Sequence, residues 1–254
     1  RQLVFVPADK LVAGTNTLAV ETHLNYRSSS SMTIDGIVQV VTKGNEPAPA
    51  PAPNPEPDPA PQPEPDTPLT PDPDKPLEVL DVSALNFGPF LYSGMYWNYW
   101  NSKEAPDAKW NSTADLSKWK RGASPLGWGD RDAGTPFDLP AKDRAITNYF
   151  VRDVNFGTLS ADFEVVLNVR VDDGAVIYVN GTEIQRVNMP EGTIDANTRA
   201  SSNVGLAKAK DNLVRITVPR KVLKDGVNRI AVEEHANYAG AASVTFDMKA
   251  SLLR

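Results

Sequence analysis

The sequence contains no cysteine and only two histidines among its 254 residues. The lack of cysteine excludes a disulfide framework, thiolate metal sites and a cysteine nucleophile. Two histidines are too few for a binuclear phosphoesterase centre, which needs several histidine ligands. A Gly-x-Ser-x-Gly nucleophile elbow is also missing. We therefore expect a protein that is not an enzyme. The sequence does not exclude a pair of catalytic carboxylates of the glycosidase type, because any two acids can lie close together in the folded chain.

Long apolar runs and an excess of basic residues are missing as well. No run approaches the roughly 20 residues that a membrane span requires. The net charge is −6, and residues 43–76 alone contribute −5 through seven acids and two lysines. The remaining sequence is nearly neutral, which argues against nucleic acid as a partner. The first residue is not Met and no secretion signal follows it, so we expect a piece of a longer or processed protein.

Proline is concentrated in one segment. Fourteen of the 22 prolines lie in residues 43–76, mostly at alternate positions. Such spacing favours an extended polyproline II chain, which at ~3.1 Å per residue could span on the order of 100 Å. The segment is predicted to be a spacer between residues 1–42 and 77–254. The alternative is a PxxP ligand for SH3-like domains.

One stretch occurs twice at a constant offset of 212 residues. From Pro7/Pro219 to Asp35/Asp247 there are 29 aligned positions without a gap, and 13 are identical. Each copy contains an Ala-Val-Glu-x-His segment that ends at His23 or His235. The repeat predicts two related modules. We interpret it as the closing hairpin of each, so that residues 1–42 are the C-terminal part of a first β-sandwich repeat without its front half.

Residues 77–254 show the period-2 pattern of an all-β domain. Asn180-Gly181 between two such runs predicts a type I′ hairpin, which needs positive φ at both positions. Many short strands at this spacing indicate a β-sandwich or jelly roll. The runs that carry this pattern are 146–151, 163–171, 175–179, 182–186, 213–218, 229–235 and 243–249.

Several motifs in a fixed order carry a family resemblance. They are Trp119, Pro125-Leu-Gly-Trp-Gly-Asp130, Ile146-Thr-Asn-Tyr-Phe150, Val171-Asp-Asp-Gly-Ala-Val-Ile-Tyr-Val-Asn-Gly181, Arg186-Val-Asn-Met-Pro190 and Gly226-Val-Asn-Arg-Ile-Ala-Val-Glu-Glu-His235. Together they resemble a galactose-binding-like jelly-roll module of secreted bacterial multidomain proteins, which often lies beside metallophosphoesterases. The module is similar, more distantly, to the sugar-binding domain of family 2 glycoside hydrolases. The resemblance implies a secreted or cell-surface location.

Aromatic residues provide the first candidate site. All five tryptophans lie between residues 97 and 128. Flat aromatic faces can stack on sugar rings, and the resemblance implies that loops at one end bind glycans. We predict that Trp97, Tyr99 and Trp100 form an exposed platform. Trp119 and Trp128 fall in family motifs and are predicted to lie in the core.

A polar trio provides the second candidate. Glu233, His235 and Asn237 are spaced two residues apart, so on a strand they project to one face. They either face a ligand or form a structural His–Glu network that pins the last hairpin.

Aspartates provide the third. Asp130, Asp132, Asp172 and Asp173 offer the oxygen ligands that calcium prefers, and modules of the resembled class often carry a structural Ca²⁺ near one end. The alternative for Asp172-Asp173-Gly174 is a tight turn. No other cofactor is expected.

These observations predict a non-catalytic extracellular β-sandwich module for adhesion or presentation, with weak carbohydrate binding. Its partners would be glycans or neighbouring copies of the same module. One alternative is a subunit of a surface assembly joined by strand exchange through residues 1–41. Another is an accessory domain of a secreted metallophosphoesterase, which the resemblance alone suggests.

Overall fold

The computed structural model describes residues 77–85, 88–160 and 162–253. The partial repeat, the proline-rich spacer and the proposed strand exchange through residues 1–41 lie outside these residues and stay predictions. In chain order the strands of the described part are β1 Leu80–Asp81, β2 Gly88–Leu91, β3 Tyr96–Trp100, β4 Lys120–Ala123, β5 Leu126–Trp128, β6 Thr135–Pro136, β7 Thr147–Asn155, β8 Glu164–Arg170, β9 Gly174–Val179, β10 Thr182–Val187, β11 Val214–Thr217, β12 Val227–His235 and β13 Val244–Leu253. A short helix α1, Leu206–Asp211, lies between β10 and β11, and 3₁₀ turns span Ala141–Asp143 and Arg220–Val222.

The strands form two sheets that pack as a sandwich. In the first, the order is β10-β9-β12-β7-β3-β4, with β1 parallel to β7. In the second, the order is β11-β8-β13-β5-β6, with β2 also pairing with β13. This architecture confirms the all-β sandwich prediction. No helix in the described part of the chain is long and apolar enough to cross a membrane.

Strand alternation builds the core between the sheets. On β7 and β12 of the first sheet, the apolar residues of one face, including Phe150 and Val232, point inward and are fully buried. Phe150 stacks on Phe246 of β13 with ring centroids 4.2 Å apart, which joins the two sheets. Burying such a side chain fully contributes about 1.5–3 kcal/mol.

The first sheet also carries a smaller apolar cluster on its outer face. Tyr149 and Val151 of β7 lie there beside Ala231 of β12, and the loop of residues 101–119 covers them. That loop contributes Trp110 and Trp119, whose rings are 6.4 Å apart. Trp119 and Trp128 are both buried, as predicted, but only Trp128 lies between the sheets.

The strands predicted from period-2 runs are present as β7 to β13. The predicted hairpin joins β9 to β10, with φ of +52° at Asn180 and +84° at Gly181, so both positions have the sign that a type I′ turn needs. The short strands β1 to β6 were not predicted.

The interpretation of the repeat as a closing hairpin is wrong. The second copy contains β12 and β13, which lie in different sheets and do not pair with each other. β12 lies between β7 and β9, and β13 is paired with β8, β5 and β2. Because both strands are internal, exchange with another copy of this segment would have to displace paired strands rather than extend an open edge.

Candidate functional site

The register of the first sheet gathers several loops at one end of the sandwich. Trp100, the last residue of β3, is opposite Tyr149 near the start of β7. His235, the last residue of β12, is opposite Thr147 of β7 on one side and Gly174 of β9 on the other. The chain segments 101–119, 188–204 and 236–243 therefore all leave the sheet at this end.

A cleft of about 560 Å³ lies at this end, beside the end of β3. Its lining combines two aromatic residues with lysines, carboxylates and small polar groups. The lining residues are Tyr99, Trp100, Asn101, Ser102, Lys103, Glu104, Lys118, Lys120, Leu139 and Asp143.

Both aromatic residues of the cleft are held in place. The Trp100 indole N–H donates to the Glu104 carbonyl over 2.8 Å, and its ring centroid lies 6.0 Å from that of Trp119. Tyr99 stacks on Phe137 with centroids 4.8 Å apart, and burial raises the pKa of its hydroxyl. Trp100 is only half-buried, so part of the indole remains available to a ligand.

Trp97 does not belong to this cleft. It is 0% exposed and packs edge-on against Phe246, with centroids 4.8 Å apart. It lies two residues before Tyr99 on β3, so both side chains point to the core side of the sheet. The prediction of an exposed platform is therefore wrong for Trp97 and also for Tyr99, which is 9% exposed and belongs to the core, so that Trp100 is the one predicted platform residue with a partly exposed ring.

Lysines complete the rim of the cleft. Lys118 and Lys120 are exposed, and the Lys120 ammonium donates to the Asn101 side-chain oxygen over 2.9 Å. The Lys103 ammonium donates to the Lys142 carbonyl over 2.5 Å. Sequence reasoning missed these lysines because charged residues in loops have no periodicity that assigns them to a site.

Glu233 and His235 project to the same outer face of the sheet, as their spacing predicted, but both are buried. Glu233 Oε1 accepts a hydrogen bond from the Tyr178 hydroxyl at 2.6 Å, and its Oε2 lies 3.5 Å from His235 Nε2. Burial first, and then the charge of Glu233, raise the pKa of Tyr178 well above its usual value.

The other side of the histidine ring anchors a loop. His235 Nδ1 lies 2.8 Å from the Thr198 carbonyl, which can only accept, so Nδ1 carries a proton. Thr147 Oγ1 is 2.9 Å from the same nitrogen and donates to the Ala196 carbonyl. This arrangement favours the structural alternative for the Glu–His pair, with the segment 188–204 as the element that it holds.

Asn237 follows the end of β12 and takes part through its backbone. Its N–H donates to Asp173 Oδ2 over 2.9 Å, and the Val204 N–H donates to Asp173 Oδ1 over 2.8 Å. Asp173 thus joins the segment 236–243 to the segment 188–204. Neither Asn237 nor the Glu–His pair is among the residues that line the cleft.

The four aspartates predicted as calcium ligands contact protein groups in the structure. The Lys210 ammonium lies 2.7 Å from Asp130 Oδ1 and 3.1 Å from Asp132 Oδ2, and Arg170 lies 3.1 Å from Asp130 Oδ2. Burial alone would raise the pKa of Asp130, but hydrogen bonds and positive charges from these partners outweigh it and lower that pKa. A lysine thus occupies the position between two carboxylates that a cation would take.

Asp172 is the most buried of the four. Its carboxylate accepts from Ser243 Oγ at 3.2 Å and from Thr245 Oγ1 at 3.3 Å. Within residues 77–85, 88–160 and 162–253, no group of three or more His, Asp or Glu side chains is placed to hold a metal ion. Structural calcium therefore stays a prediction without a ligand set in the described residues.

No protein-family model matches the chain, and no curated protein matches it in sequence. Similar solved structures include the β-glucuronidase of Bacteroides uniformis, at 15% identity and a TM-score of 0.44, over 66% of this chain and 18% of that one. A glycoside hydrolase family 2 member from Bacteroides cellulosilyticus matches at 13% identity and a TM-score of 0.44, over 67% and 21%. A β-glycosidase from Bacteroides vulgatus matches at 15% identity and a TM-score of 0.40, over 66% and 20%. The chain thus spans about a fifth of these proteins, and similarities at TM-scores below 0.5 carry no argument about its function.

Proposed function

We propose that residues 77–254 form a non-catalytic carbohydrate-binding module, and that the glycan binds in the cleft beside Trp100. One observation carries the proposal. A half-buried indole, fixed by its own N–H bond to Glu104, lies next to Tyr99 in a concave site with exposed polar side chains.

This combination matches the chemistry of a sugar ring. The C–H face of a pyranose packs on an aromatic ring, and its hydroxyls exchange hydrogen bonds with amide, ammonium and carboxylate groups at the rim. Asn101, Lys120 and Glu104 supply one of each. Because the indole N–H is already bonded to the protein, Trp100 has only its ring to offer, which suits stacking.

The positions of the carboxylates support a non-catalytic role. Glycosidases use a pair of acids, one of which is kept protonated by burial. The two acids of the cleft, Glu104 and Asp143, are both exposed. The buried acids Glu233 and Asp173 are bonded to protein groups outside the cleft lining.

At the level of the whole protein, we propose an extracellular protein that presents this module on a proline-rich spacer, for adhesion to glycans. The composition of residues 43–76 and the lack of cysteine support this proposal. The role of an accessory domain beside a metallophosphoesterase has no support in the described residues.

Replacing Trp100 tests the proposal. Wild-type protein is expected to be retained on a glycan array, W100A to lose at least about tenfold in affinity, and W100F to retain most of it because a ring face remains. Near-ultraviolet circular dichroism and thermal unfolding would verify that W100A folds. K118A/K120A should also bind the glycan more weakly. Because this variant changes only exposed side chains of the cleft, the loss could not be caused by misfolding.

Two results would count against the proposal. Lack of retention of the wild type on any glycan, or equal retention of W100A, would remove the carbohydrate site. Release of reducing sugar from a bound glycan would contradict the non-catalytic role.

A further inference from the structure

A second depression adjoins the cleft. It measures about 210 Å³, and Lys103 lines both. At their boundary the Lys103 ammonium donates to the Lys142 carbonyl, which joins the loop after β3 to the 3₁₀ turn before β7. The other residues that line the second depression are Ala141, Lys142, Arg144, Ile146, Ala196, Asn197 and Ala239.

An exposed aromatic residue is the chain neighbour of Ala239, which lines the second depression. Tyr238 precedes Ala239 in the segment after β12, and it is 46% exposed. Its ring lies close to Gly240, where an added Cβ would come within 3.1 Å of the tyrosine Cε2. Its own loop therefore supports the ring on one side.

The internal repeat makes this tyrosine informative. Of the 13 positions that are identical between the two copies, Tyr238 is the one that is exposed in the described copy; nine are buried and three are intermediate. Buried identities have packing or hydrogen-bonding reasons, as with Asn228 and Thr245. Asn237 is identical in both copies as well, whereas Ala236, Ala239 and Gly240 replace leucine, arginine and serine of the first copy.

We infer that the module binds an extended oligosaccharide, whose one end stacks on Trp100 and whose other end reaches Tyr238 across Lys103. The inference rests on the proposed carbohydrate site and adds the length of the ligand and a second aromatic contact. Fold maintenance does not require an exposed tyrosine, whereas a ligand contact requires both its ring and its exposure.

Chain length is the variable that tests this inference. The probes are β-1,4-linked cello-, xylo- and manno-oligosaccharides and α-1,4-linked galacturono-oligosaccharides of two to six residues, titrated by calorimetry into the full chain. For the oligosaccharide series that the protein binds, the affinity is expected to rise by about tenfold as the oligosaccharide lengthens and then to level off. Y238A should bind the hexasaccharide about five- to tenfold more weakly and the disaccharide unchanged, while W100A weakens binding at every length.

Val227 provides a matched control for Tyr238. It is 43% exposed and begins β12, at the opposite end of the strand that precedes Tyr238. V227A should bind every oligosaccharide like the wild type. Equal affinity for all lengths, or an unchanged hexasaccharide affinity in Y238A, would overturn the extended site while leaving the Trp100 site intact. Wild-type protein that binds none of these probes would contradict the proposed function itself.

Discussion

At the residue scale, Asn228 shows why the repeat keeps particular polar residues. This fully buried side chain accepts from the Lys224 N–H and from Asn180 Nδ2, and it donates to the carbonyls of Lys224 and Gly226, all within 3.0 Å. It thus closes the turn before β12 and ties it to the β9–β10 hairpin. Its counterpart in the first copy is Asn16.

N228A should lower the free energy of unfolding by about 3–5 kcal/mol, because several buried groups lose their partner at about 1–3 kcal/mol each. Urea unfolding measures this loss. N212A, which removes one exposed bond to the Lys208 carbonyl, is the control and should change stability by less than about 0.5 kcal/mol. A loss below about 1 kcal/mol for N228A would show that the network is dispensable.

The prediction for Trp97, Tyr99 and Trp100 shows how far a sequence can place individual side chains at a site. Alternation along β3 correctly implies that Trp97 and Tyr99 share one face and that Trp100 lies on the other. Which face meets the core depends on the neighbouring strands β4 and β7, which the sequence does not reveal. In the structure the face of Trp97 and Tyr99 meets the core. Trp97 is buried against Phe246, Tyr99 reaches the cleft from the core side near the end of the strand, and Trp100 lines the cleft from the outer face.

At the element scale, the connection between β8 and β9 joins the two sheets through buried acids. Asp172 accepts from Ser243 and Thr245 near the start of β13, while its own N–H donates to Glu234 of β12 over 2.8 Å. Burial is the main cause that raises the pKa of Asp172 to about 6, with the charge of Asp173 adding to it and Arg170 opposing it. Burial likewise raises the pKa of Glu234 well above its usual value.

These shifts predict a pH dependence of stability with a definite sign. Because its pKa is higher in the folded state, Asp172 stabilises the fold at low pH, and this contribution is lost as the pH rises from about 4 to about 6. The loss is about 3 kcal/mol at 1.36 kcal/mol per pKa unit. D172N has no titrating carboxyl at this position, so urea unfolding between pH 4 and 7 should show D172N gaining stability relative to the wild type as the pH rises.

D138N, at an exposed acid, is the control for removal of one negative charge. A difference in stability between D172N and the wild type that does not change with pH would contradict the assignment.

The elements themselves were predictable wherever one face of a strand is buried. The runs that form β7 to β13 are long enough for a period-2 pattern to appear, because successive side chains of a strand point to opposite faces. The strands β4, β5 and β6 have only two to four residues, too few for a period to appear, and their positions depend on pairing with β3, β13 and β5 respectively. The relatedness of two modules stays a prediction. The pairing between the two strands of the second copy could not be read from the sequence, since a turn and a crossover between sheets can have similar lengths.

At the scale of the whole molecule, charge is distributed unevenly. The chain carries −6, of which residues 43–76 hold −5. The cleft and the second depression together are lined by five cationic side chains and two carboxylates, a local charge of +3 in an acidic protein. These residues are Lys103, Lys118, Lys120, Lys142, Arg144, Glu104 and Asp143.

This distribution predicts a preference for acidic glycans. Polygalacturonate should bind at least about fivefold more tightly than the same polymer after reduction of its carboxyl groups, because reduction removes the charges and keeps the linkage. The difference should shrink as salt rises from 50 to 500 mM, since exposed charges are screened over about 10 Å at 0.1 M and over shorter distances at higher salt. K118A/K120A should lose more affinity for the acidic polymer than for the reduced polymer, because only the acidic polymer loses an attraction between charges as well as hydrogen bonds. Equal binding of both polymers at low salt would show that the lysines serve hydroxyl groups rather than carboxylates, and stacking on Trp100 would then account for recognition without charge.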